Sequence, residues 1–110
     1  MKPWPDKLRL LAVLAATRTL VAKSKREGWP NEKPEEVCND LDQIIDAIYY
    51  KKGGPLPRHW SILFAPTGPI QEISISNGWA ETFLKLAKEI DSCEHILKAH
   101  ETEQARSAPL

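Results

Sequence analysis

The sequence predicts an α+β fold, helix–helix–β-hairpin–helix, with the helices packed on one face of a two-stranded antiparallel ribbon. Three observations carry this expectation. Apolar residues recur at helical spacing before residue 50 and again after residue 78. Between those stretches the period shortens to two: Trp60, Ile62 and Phe64 share one face against Leu63 and Ala65, and Gln71, Ile73 and Ile75 alternate with Glu72, Ser74 and Ser76. Pro66-Thr67-Gly68-Pro69 separates the two alternating runs with residues typical of a turn.

The first helix opens at Pro5, because a first-turn proline loses no hydrogen bond, and Asp6 complements the positive end of the dipole. It continues through Leu8, Leu11, Leu14, Ala15, Val21 and Ala22. Lys23, Lys25 and Arg26 suit its last turn, Gly28 supplies a left-handed cap, and Trp29-Pro30 ends it. A second helix starts near Pro34 with Glu35 and Glu36 in its first turn. Val37, Leu41, Ile44, Ile45 and Ile48 form one apolar stripe along it. Tyr49 and Tyr50 follow, then Lys51 and Lys52, and Gly53-Gly54-Pro55 terminates it.

The connector through Pro57 leads into the ribbon. Its first strand is apolar on both faces, so it needs cover on both, from the chain or from a second copy. An alternative treats 60–65 as core hydrophobics within a helix-dominated fold. Asn77-Gly78 starts the third helix, where Trp79, Phe83, Leu86, Ile90, Cys93 and Leu97 alternate steps of four and three. Residues 1–100 are expected to form one globular domain, with 101–110 a frayed tail lacking large apolar residues before its end.

Composition narrows function by exclusion. Fifteen lysines and arginines balance fifteen aspartates and glutamates, and zero net charge argues against a general nucleic-acid binder or a polybasic membrane anchor. The longest apolar run, Leu10 to Ala16, is far shorter than the ~20 residues that span a bilayer. Thr17, Arg18 and a basic cluster follow it in place of a signal-peptide cleavage site. Cys38 and Cys93 fall inside helical patterns, as small core residues in a reducing compartment do, so the expected location is cytoplasmic.

Several residues qualify as functional candidates. Arg18 lies on the apolar face of the first helix, where a guanidinium snorkels, pairs with a carboxylate or clamps an anion. Glu35, Asn39, Asp42 and Asp46 form an acidic stripe on the second helix, suited to Mg²⁺, to a basic partner surface or, as an ordinary charged face, to solvent. Asp91 and His95 are one turn apart, too few ligands for a metal alone. No serine has a partnered base and Gly53-Gly54 is no phosphate loop, so neither cofactor nor metal is expected. Trp4 and Trp29, beside prolines, read as caps of a core edge or as interface anchors.

The expected function is a non-enzymatic protein-binding module of the adaptor, inhibitor or immunity type, with an unidentified protein partner. One alternative is a small enzyme or ligand-binding protein with a pocket between the hairpin and the third helix, using Arg18 as an anion clamp. Another is a purely structural homodimer; whichever holds, the chain is expected to self-associate as a homodimer, through Leu63 of the first strand or through Leu86 and Leu97 of the third helix.

Overall fold

The structure, a computed structural model, describes residues 4–28, 33–50 and 53–107. Among these it is helical throughout: α1 (Asp6–Lys23), α2 (Pro34–Tyr49), α3 (Trp60–Leu63), α4 (Pro69–Ser76) and α5 (Ala80–Ser107). The expected α+β ribbon is absent, and no β-strand is found among the described residues. Trp29, Pro30, Lys51 and Lys52, to which helix endings were assigned, lie outside them, as does 108–110.

The segment expected to form the hairpin folds as two short helices for a physical reason. Trp60 and Leu63 are buried three residues apart, and Ile70, Ile73 and Ser74 are buried at steps of three and one. Those are intervals of one helical face. Pro69 occupies the first turn of α4, where its missing N–H leaves nothing unsatisfied. The turn between the helices takes its left-handed residue at Thr67 (φ 61°), whose backbone N–H bonds the Gln71 side chain. Gly68 serves a different need: a Cβ there would collide with the Ile62 carbonyl oxygen.

Asn77-Gly78 ends α4 and does not start the helix that follows. Gly78 has φ 83°, and the Trp79 N–H donates to the Ser74 carbonyl at 2.9 Å, a Schellman closure. Asn77 Nδ2 adds a bond to the Ile73 carbonyl at 2.9 Å. Gly78→Ala is therefore expected to cost about 1–2 kcal/mol, the strain of a Cβ in the left-handed region. Chemical denaturation measures it, and an unchanged midpoint would show that the cap tolerates a side chain.

α1 and α2 pack together, α5 runs along α1 and α4, and α3 leans on α4. One apolar cluster joins Leu10, Leu14 and Val21 of α1, Leu41 and Ile44 of α2, Leu63 of α3, Ile70 and Ile73 of α4, and Phe83, Ile90, Cys93 and Leu97 of α5. The buried face of α1 is rotated from the expected one, since Leu10 and Thr17 are buried while Leu8 is exposed. Thr17 turns its hydroxyl onto the Val13 carbonyl at 2.7 Å, which satisfies it inside the core. α1 also stops well short of Gly28. Ser24 closes it by a hydroxyl bond to the Leu20 carbonyl (2.9 Å) and a backbone bond to Val21 (3.0 Å).

Residues 101–107, expected to fray, continue α5. The Trp60 indole N–H donates to Glu101 at 2.6 Å, and Gln104 Nε2 donates to the Gly53 carbonyl at 3.0 Å. These side-chain bonds hold the last turns without any large apolar residue.

Candidate functional site

α5 is long enough to serve two jobs along its length. One strip of it, Phe83, Ile90, Cys93 and Leu97, is sealed against neighbouring helices. Beside that strip lie Leu84, Ala87, Lys88, Asp91 and Glu94, which face an opening. Because α3 leans on α4, the chain from Trp60 to Pro66 forms the far wall of this opening.

The result is a pocket of about 450 Å³ whose floor reaches Leu14 of α1 and Ile44 of α2. Trp60, Phe64, Ala65, Pro66, Phe83, Leu84 and Ala87 make its walls largely apolar. Ser61, Gln71, Lys88, Asp91 and Glu94 supply its polar groups. Its size and apolar lining suit a compact apolar group. The bond from Trp60 to Glu101 ties the wall to α5. Leu84, which lines the pocket, is 60% exposed, and Ile62 of α3, outside the lining, is 52% exposed.

Arg18 lies elsewhere, between α1 and α2. Its Nε and Nη2 donate to the two carboxylate oxygens of Asp42 at 3.0 and 3.2 Å. This forked pair raises the guanidinium pKa, chiefly through the hydrogen bond, and uses the planar geometry that arginine offers a carboxylate. Arg18 is thus held by a carboxylate of its own chain and does not line the apolar pocket. Of the acidic stripe, Asp42 is partnered in this way while Glu35 and Asp46 stay exposed. Cys38 packs beneath the pair with its Sγ 3.8 Å from the Arg18 carbonyl. Burial pushes its thiol above the ordinary value, against the pull of the Arg18 charge.

Other ionic contacts join separate elements. Arg9 bonds Asp6 (3.0 Å), Glu89 (2.9 Å) and the Ser92 hydroxyl (2.8 Å), joining α1 to α5. His95 lies 3.2 Å from Asp6 and not against Asp91, and His59 lies 3.0 Å from Asp40. Among the described residues no three His, Cys, Asp or Glu side chains converge as metal ligands.

The residues expected to form a homodimer are placed differently from that expectation. Leu63 and Leu97 are buried within the chain and Leu86 is half-buried. α1 and α4 already cover the α5 seam. Leu63 was expected on the outer face of a strand; the helical turn of α3 carries it inward instead. Trp4 is exposed and caps no core edge, while Trp29 lies outside the described residues. Sequence reasoning missed Phe64, Leu84, Ala87 and Lys88 as pocket residues. An off-seam leucine, Leu84, was the only local signal for them.

No described helix is long and apolar enough to cross a membrane. No protein-family model, curated protein or solved structure matches the chain.

Proposed function

We propose that this chain is a small non-enzymatic protein-binding module whose apolar pocket receives a side chain from a partner protein. The observation that carries this is the 450 Å³ pocket between the 60–66 segment and α5, apolar in its walls and open at its mouth. Leu84, which lines it, and Ile62, in the same 60–66 segment though outside the lining, are both exposed and add apolar surface. A partner that seats one apolar anchor and covers that surface matches the usual anatomy of an interface hot spot. Free thiols buried apart at Cys38 and Cys93 support a cytoplasmic setting for the encounter.

Indole, as a surrogate for an aromatic anchor, tests the pocket directly. It is expected to shift the backbone resonances of Phe83, Ala87 and Ile90. At ten times its Kd it should add about 1.4 kcal/mol to stability, a rise of several degrees in Tm. Ala87→Trp, which fills the mouth from α5, should abolish both effects and leave the helical circular dichroism intact. Indole that moves neither the resonances nor Tm would overturn the assignment.

A further inference from the structure

A second groove shares no lining residue with the apolar pocket. It runs between the end of α1 and the α4–α5 turn, encloses about 630 Å³, and is lined by Leu20, Lys23, Lys25, Arg26, Ile75 and Trp79 together with small polar residues. Among the described residues its charged lining is all cationic, in a chain whose net charge is zero. Lys23 lies in the last turn of α1, where a cation offsets the helix dipole. That account does not extend to Lys25 and Arg26, which follow the C-cap Ser24.

Asn77 holds these two cations in place by their backbone. Its Oδ1 accepts the N–H groups of both Lys25 and Arg26 at 3.0 Å, and its Nδ2 donates to the Arg26 carbonyl at 2.8 Å. The neighbouring wall is fixed as well, because the Trp79 indole N–H donates to the Ser24 hydroxyl at 2.9 Å. Ile75, which also lines the groove, is left largely exposed. The groove's lining therefore combines a guanidinium and two ammonium groups with the apolar Leu20, Ile75 and Trp79.

We propose that this groove binds a phosphate monoester, its phosphate on Lys23, Lys25 and Arg26 and its organic portion against Ile75 and Trp79. Several acceptor oxygens and a double negative charge match three cations lining one groove better than a single carboxylate does. The apolar wall distinguishes an ester from inorganic phosphate. Such a group arises on a free metabolite-sized molecule or on a lipid headgroup, and the same protein discriminates the two sources.

Phenyl phosphate, titrated into isotope-labelled protein, is expected to shift the Trp79 indole N–H and the Asn77 side-chain amide resonances. Inorganic phosphate should do so more weakly, phenol should not, and added salt should weaken each effect. Phosphatidylcholine vesicles containing phosphatidic acid, compared with vesicles lacking it, report the lipid source by co-sedimentation. Lys25→Gln with Arg26→Gln should weaken binding about tenfold or more. Their side chains are exposed, so helical circular dichroism should not change, and Lys98→Gln should leave the titration unaltered. Resonances unmoved by phenyl phosphate, together with no phosphatidic acid dependence, overturn the proposal. Shifts that persist in the double variant do so equally.

Discussion

Leu63→Lys is expected to unfold the protein. Leu63 sits in α3 at 0% exposure, inside the cluster that joins all five helices. A lysine there either buries its ammonium without a partner or surrenders its proton, and each option costs several kcal/mol. The lost leucine packing adds about 2–5 kcal/mol. A domain of this size has a total stability of about 5–15 kcal/mol, so the sum consumes most or all of it. Ile62→Lys, one residue earlier at 52% exposure, should be tolerated.

The pair of variants also separates two architectures. Had residues 60–65 formed a strand with Leu63 on an outer face, Leu63→Lys would split a dimer and leave folded monomers. Sedimentation and circular dichroism distinguish these outcomes. A Leu63→Lys protein with native helicity and a sharp melting transition would remove α3 from the core.

α2 was legible in the sequence because its signals agree. Pro34, Glu35 and Glu36 mark its start, and one narrow stripe of large residues marks its buried side. Five of its six buried positions are apolar residues on or beside that stripe, Val37, Cys38, Leu41, Ile44 and Ile48, with Ala47 completing the face. α5 was legible along its seam for the same reason, although its length was not. Bonds from Trp60 and Gln104 hold its last turns, and no local pattern announces contacts between residues that far apart.

α1 was legible as a helix but not in its orientation. Leucine, valine and alanine surround it on nearly every side, so no single face stands out until α2 and α5 select one. That selection also decides Arg18. Pairing with a carboxylate was one of its expected fates, and Asp42 was singled out on other grounds. What joins them is a helix crossing between residues 24 apart in sequence.

The 60–76 segment was misread because short apolar runs fit two periods. Trp60, Ile62, Leu63, Phe64 and Ala65 satisfy alternation and a single helical turn equally well. Proline and glycine then tipped the balance, since the residues that make a hairpin turn also cap and open helices. Pro69 opens α4 and Gly78 closes it. A pocket between this segment and the last helix belonged only to the alternative ligand-binding reading. Its lining was not foreseeable while the wall was taken for a strand.

Ile73→Ala and Ile75→Ala are expected to differ severalfold in cost. In an alternating strand the two isoleucines share a face and should lose similar packing. In α4 they are separated by about 200° of helical rotation, and the structure places Ile73 at 0% exposure and Ile75 at 56%. Truncating Ile73 removes three carbons from a sealed core and leaves a cavity, which costs about 2–5 kcal/mol. Collapse around it is restrained, because the Ile73 backbone is fixed through its carbonyl to Asn77 on both the main chain (3.0 Å) and the side chain (2.9 Å). Truncating Ile75 removes partly hydrated surface, and alanine is the better helix former, so the net change should stay within about 0.5 kcal/mol. Urea denaturation of the two variants against the parent measures the difference. Equal midpoints for both would restore the strand; a midpoint lowered by Ile73→Ala alone is the signature of α4.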